Sequence, residues 1–293
     1  MSAVRRAYLE LHLAVFLYGF TAILGDLITL SATILVWWRV LFTSISLLFL
    51  IQFGKRLKYI PKRLLFEFLG IGIVIALHWI TFFASIKYAN ASVALVCLAT
   101  GSFFTSILEP IMTRTTFKWY EFGLGLLVVP GMALVVQGLT VQMLTGVWLG
   151  LISSLLIVVF SIFNKQRIHL LDTTTITFLE MGSAWIFISF LLPFYFYFLE
   201  ETIFLPSWRD GFYLLILALV CTTLAFVLNL RALRHISAFA ANLTINLEPV
   251  YGILLAIVIL NENKELTSTF YLGVFIIMLS VLSYPLIRRR YEL

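Results

Sequence analysis

Apolar residues run along this chain in stretches about as long as a bilayer is thick, separated by short polar connections. Ten stretches can be traced, at residues 7–29, 32–53, 65–86, 90–112, 119–137, 144–164, 174–198, 211–232, 236–260 and 267–287. Each suits a membrane-crossing helix of about 20 residues, and none shows the roughly 10-residue alternation of an outer-membrane barrel strand. The pattern predicts an all-α polytopic membrane protein with ten transmembrane helices. The first stretch follows Arg5 and Arg6, has the length of a full span and lacks a clear small-residue cleavage site, so it is expected to be a retained helix.

The ninth stretch departs most from plain hydrophobicity. In AFAANLTINLEPVYGILLAIVILNE, Asn242, Thr244, Asn246, Glu248 and Pro249 interrupt the first half of a span, where hydrocarbon penalises unpaired polar groups. Pro249 lacks an N–H, so the Ile245 carbonyl loses its helical donor. A span carrying that cost is expected to face a cavity. The plain alternative is a buried Glu satisfied by a neighbouring helix, with Pro249 as a kink.

Lys and Arg set the orientation. With the N-terminus inside, the inner connections and helix ends carry Arg5, Arg6, Lys55, Arg56, Lys58, Lys62, Arg63, Arg114, Lys118, Lys165, Arg167, Arg231, Arg234, Arg288, Arg289 and Arg290. The outer side keeps Lys87, Arg209 and Lys264 beside the acidic Glu200, Glu201, Asp210, Glu262 and Glu265, and Arg39 lies within a span. This bias places both termini in the cytoplasm. The composition agrees: 62% hydrophobic and 12% charged residues, with a mean hydropathy of +1.05, exclude a soluble globular domain. The net charge of +6 sits in short clusters between apolar runs, which makes it a topology signal and no nucleic-acid surface. The run KRLKYIPKR after helix 2 reads as a topology anchor or as an anionic-lipid site. Cys97 and Cys221 fall inside apolar runs without metal-ligand spacing, so neither a disulfide nor a metal is expected.

A faint internal repeat runs through the chain. KYANASV from Lys87 can be laid over RHISAFA from Arg234, a register that sets Ser102 over Pro249. YEFGLG from Tyr120 likewise matches FYLGVF from Phe270. The chain divides into residues 1–140 and 141–293, five helices each. An odd number per half sends the second copy in from the opposite face, a 5+5 inverted-topology repeat around a central cavity.

These residues resemble the EamA-type members of the drug/metabolite transporter superfamily. The resemblance rests on small-residue entry into helices 4 and 9 (Asn90, Ala91, Ser92; Ser237, Ala238), LEPVYGILLAIVILNE from Leu247, Arg39 in WWRVLF, and Gly123 and Gly273. It covers nearly the whole chain. Departures are Ser102 at the expected proline position, Glu109 and Pro110 about two turns later, Thr115 where an acidic residue usually follows helix 4, and Glu180 opposite Arg39 in the repeat. The resemblance implies export of a small metabolite, amino acids foremost and toxic compounds next, across a bacterial cytoplasmic membrane.

Candidate chemistry follows from polar groups inside the spans. Glu248 can bind a cationic group, exchange a proton or serve structure alone. Arg39 can hold a carboxylate bidentately, snorkel outward or pair with a helix-end carbonyl. His78 is either a titratable group or a hydrogen-bonded packing residue. Trp79, Trp38, Tyr18 and Tyr251 offer aromatic walls, though interfacial roles explain most aromatics in such a chain. Helices 3, 4, 8 and 9, with His78, Trp79, Ser102, Asn229, Asn242, Asn246 and Glu248, are expected to line the cavity. Glu109, with Pro110, and Glu180 lie at similar depth near the cytoplasmic side and are expected to form a gate, sharing a proton or attracting Lys165 or Arg167, or else to serve packing of helix 4 on helix 7. An Arg39–Glu180 ion pair is not expected, because inversion sets them at opposite depths.

The sequence has no P-loop, HExxH, GxSxG or aspartate-rich pair. ATP drive and an intramembrane enzyme are therefore disfavoured, no cofactor is expected, and a proton gradient, exchange or facilitated passage stay open. A receptor or structural membrane protein is the other rival class. The expected partners are a small-molecule substrate and the bilayer, in a monomer or homodimer.

Overall fold

The structure, a computed structural model, describes residues 2–50, 60–137, 139–199, 203–245, 247–261 and 267–291. Asn246 lies outside them, as do Lys55, Arg56, Lys58, Glu200, Glu201, Glu262, Lys264 and Glu265. The described residues form ten helical spans: α1 (Ala3–Leu27), α2 (Ala32–Leu50), α3 (Lys62–Tyr88), α4 (Ala91–Thr113), α5 (Trp119–Gln137), α6 (Leu144–Arg167), α7 (Thr173–Leu199), α8 (Trp208–Leu233), α9 (Ala238–Ile245 continuing as Glu248–Leu260) and α10 (Ser268–Tyr291). Eight are long and apolar enough to cross a bilayer as they stand, and α9 and α10 add the shorter apolar stretches Glu248–Leu260 and Ser268–Ser280. The protein is an all-helical, multi-pass membrane protein.

The repeat seen faintly in sequence is written into the helix ends. Asn90 caps α4 by accepting from the Val93 amide at 2.8 Å, and its counterpart Ser237 opens α9 by accepting from the Ala240 amide at 3.1 Å. Each helix then breaks at matching points, α4 at Thr100 and α9 ahead of Glu248. Each ends in a left-handed residue, Arg114 (φ 56°) and Asn261 (φ 59°), equivalent in that same register. The cations heading these segments behave alike as well. Lys87 donates to the Asp26 and Ile28 carbonyls at the α1–α2 turn, and Arg234 donates to the Leu171 carbonyl at the α6–α7 turn.

Packing follows the same symmetry. The helix α3 lies along α6 and α7 as α8 lies along α1 and α2, while α2 meets α7 and α5 meets α10 across the axis. Because lipid tails are as apolar as the helix faces, close backbone approach has to supply the cohesion. Gly131 and Gly273 achieve it between α5 and α10, where a Cβ on Gly273 would stand 2.4 Å from the Gly131 carbonyl oxygen. Gly72 does so between α3 and α7, with a Cβ 2.4 Å from the Glu180 carbonyl oxygen.

Candidate functional site

Near the middle of the bundle the helices enclose a cavity of about 60 Å³, which holds only a few waters. Its wall comes from both repeats and from more helices than the sequence indicated: Tyr18 and Thr21 of α1, Arg39 of α2, Ile75, His78, Trp79 and Phe82 of α3, Leu98 and Gly101 of α4, Ile157 of α6, Phe226 and Asn229 of α8, and Ile245 and Glu248 of α9. The repeat register pairs Trp79 with Phe226, Phe82 with Asn229, Leu98 with Ile245, and Gly101 with Glu248. The symmetry thus fixes shape, whereas the charges sit on one copy each.

Arg39 is 1% exposed. Its guanidinium carbon lies 4.1 Å from the centre of a Trp79 ring and 5.4 Å from that of Phe83. Its Nε donates to Thr222 Oγ1 at 2.7 Å. Thr222 belongs to a π-helical turn, Leu219–Leu224, and donates in turn to the Leu217 carbonyl at 2.7 Å. Stacking and this bond lock the plane of the guanidinium, while its buried Nη1 has no acceptor. A buried donor left unpaired costs about 1–3 kcal/mol, more when charged, so the geometry calls for an incoming acceptor.

Glu248 faces the same cavity from the start of the second piece of α9, where the helix N-terminus favours negative charge. It is 5% exposed and feels the field of Arg39, yet the two do not close into a salt bridge. Pro249 follows it at a helix start, where the missing N–H costs nothing. The break before Glu248 is therefore a new helix N-terminus, more than the kink of the plain reading. Tyr18 extends toward Asn229 and senses both charges, and the Asn229 Oδ1 is buried without a partner.

His78 is both a packing residue and a wall residue. Its Nδ1 lies 2.9 Å from the Ser153 carbonyl and 2.8 Å from Ser153 Oγ, which itself donates to the His78 carbonyl at 3.0 Å. Its ring stacks on Phe82 with centroids 6.1 Å apart.

Six of the residues singled out in the sequence thus meet at one cavity: Tyr18, Arg39, His78, Trp79, Asn229 and Glu248. Ser102, Tyr251, Trp38, Glu109 and Glu180 are not in its wall. Ser102 is fully buried with its hydroxyl turned back to the Ala99 carbonyl at 3.3 Å, and its neighbour Gly101 takes the wall position. Tyr251 packs edge-on against Phe16, centroids 5.6 Å apart, where α9 crosses α1. Trp38 donates to the Phe204 carbonyl at 2.8 Å, away from the cavity. Asn242 lies on the first piece of α9, and Asn246 is outside the described residues. Glu109 and Glu180 take different neighbours: Glu109 is in the field of Lys165, whereas Glu180 faces Asn164. Arg167 pairs with Glu67 at 2.6 Å instead of with either acid. Sequence reasoning missed Thr21, Thr222, Phe82 and Phe226. Thr222 carried one usable signal, a hydroxyl pair in an apolar run at CTT.

The chain matches the family model described as the EamA-like transporter family twice, over residues 5–137 and 144–284. No curated protein matches it. Among solved structures, one described as "Crystal structure of protein" superposes with a TM-score of 0.71 at 13% identity, covering 98% of this chain and 99% of that one. That likeness establishes a shared fold. With the family model matched once in each half, the chain belongs to the EamA-like transporter family.

Proposed function

We propose that this protein is a secondary transporter that exports small zwitterionic metabolites, amino acids foremost, by alternating access between its two repeats. One observation carries the reading: Arg39 of the first repeat and Glu248 of the second face a single buried cavity without pairing to each other. A carboxylate would meet the unpaired Nη1 of Arg39, and an ammonium group would meet Glu248. An amino acid carries both groups, so its backbone would satisfy two charges that the protein itself leaves apart. At about 60 Å³ the cavity is too small to take in all but the smallest cargo, which suits an occluded state opened by rocking of the repeats.

A specific observation favours a second reading. Trp79, Phe82 and Phe226 form an aromatic wall beside Glu248, a lining that also suits efflux of amphipathic cations. Discrimination is direct, because Arg39 matters for a zwitterion and is dispensable for a cation. The distribution of Lys and Arg supports cytoplasmic termini, and the family resemblance favours a bacterial cytoplasmic membrane. The testing experiment is flux of pooled radiolabelled amino acids in proteoliposomes, wild type beside Arg39→Ala and Glu248→Gln. Saturable flux lost in both variants supports the zwitterion reading, and flux of cations that survives Arg39→Ala supports the second.

A further inference from the structure

The most anomalous polar group in the molecule lies outside the cavity. Glu180 of α7 is wholly buried, and neither carboxyl oxygen has a hydrogen-bond partner. The Asn164 side chain of α6 faces it, is equally buried, and has no partner other than Glu180 among the described residues. A carboxyl group and an amide that face only each other leave buried polar atoms in need of a further partner, since such groups are satisfied almost without exception in folded proteins. The site is about 10 Å along α7 from its start, at 1.5 Å per residue. The chain seals it tightly: Gly72 of α3 lies against the Glu180 backbone, and Ser183 ties α7 to the Leu69 carbonyl at 2.6 Å.

Among the described residues no neighbouring charge serves Glu180, and Arg234 donates to the Leu171 carbonyl at the α6–α7 turn. On α3, Lys62 is exposed and Arg63 is held by Glu67 at 3.1 Å; on α6, Arg167 is held by that same acid at 2.6 Å. Lys165 of α6 donates to the Leu233 carbonyl at 2.7 Å and to Ile236, and lies in the field of Glu109. On α8, Arg231 is exposed, and on α2, Arg39 is bound to Thr222. A buried carboxyl group without a cation among the described residues leaves its desolvation uncompensated.

We propose that Glu180 and Asn164 form the coupling-cation site of the transporter, taking a proton or a sodium ion, separate from the central cavity. The proposal rests on the alternating-access reading above. Glu180 is the repeat counterpart of Arg39, and in an inverted repeat the two halves exchange conformations between the inward- and outward-facing states. Arg39 is held in place in the conformation described, and the exchange would open the surroundings of Glu180 to water in the other. A cation bound there from one side is released to the other. For a proton, it adds to a carboxylate oxygen from water and returns to water across the membrane; for sodium, the carboxylate and Asn164 Oδ1 supply oxygen ligands.

The test uses the full-length protein in proteoliposomes with pooled radiolabelled amino acids, in two assays: counterflow with no ion gradient, and accumulation under an imposed proton or sodium gradient. The expected result for Glu180→Gln is counterflow within about twofold of wild type and accumulation lost. The gradient that drives the wild type identifies the cation. Accumulation retained by Glu180→Gln overturns the proposal, as does counterflow lost together with accumulation. Wild-type counterflow with no accumulation under either gradient overturns it while leaving transport intact. Absence of wild-type counterflow defeats the transport reading itself. Should Glu180→Gln fail to reach the membrane, Asn164→Ala decides in its place: accumulation reduced at least fivefold with counterflow spared supports the site, and unchanged accumulation overturns it.

Discussion

Arg39 of the first repeat is held by Thr222 of the second through a 2.7 Å bond from Nε to Oγ1, and the acceptor sits on a π-helical turn. The orientation of the guanidinium in the cavity wall is thus set by a residue outside that wall. Replacing Thr222 with Val keeps the shape, removes the acceptor and orphans a second buried N–H of Arg39. At about 1–3 kcal/mol for such a loss, KM for amino acid flux should rise about fivefold to a hundredfold. Thr222→Ser should restore it. Equal loss in Val and Ser would show that the β-branched shape matters and the hydroxyl does not.

Trp79 supplies the other half of the clamp, 4.1 Å below the guanidinium carbon. A desolvated cation–π contact is worth up to about 2 kcal/mol, so Trp79→Leu should weaken apparent affinity by about tenfold, with Trp79→Phe intermediate. Flux titrations with each variant check the order.

Transport should depend on pH through Glu248. An ammonium group and a proton compete for its carboxylate, so wild-type affinity should fall as the pH is lowered, and Glu248→Gln should flatten the profile. Initial rates across a pH series, with no gradient imposed, measure both. An unchanged slope in the variant would return Glu248 to a structural role.

Gly72 marks a tight seam between the repeats. A Cβ there would stand 2.4 Å from a backbone oxygen of Glu180, which no rotamer can relieve. Gly72→Ala should therefore spread α3 from α7 and lower the thermal midpoint of the detergent-purified protein. Gly70→Ala, where a Cβ meets nothing within 4 Å, is the control and should leave it unchanged.

The sequence showed ten spans and an inverted repeat because hydropathy, lysine and arginine placement, and the caps Asn90 and Ser237 are local signals. Arg39 and Glu248 were legible as intramembrane charges, and their meeting at one cavity was not. Which face of a helix turns inward is decided only when helices dock. For that reason Ser102 and Tyr251 read as cavity residues, whereas Gly101, Thr21 and Phe226 did not. Thr222 escaped notice because a π-turn is a product of packing around Arg39. Asn164 drew no notice in the sequence, and only the docking of α6 on α7 gives it Glu180 as a neighbour.

The central claim is that Arg39 and Glu248 together hold a zwitterion. Its most direct measurement is competition in proteoliposomes between a radiolabelled amino acid and two unlabelled analogues, one lacking the carboxylate and one lacking the amine. The account predicts that both analogues compete at least tenfold more weakly than the parent, and that Arg39→Ala and Glu248→Gln each erase one of these two preferences. Equal competition by all three compounds in the wild type would contradict it.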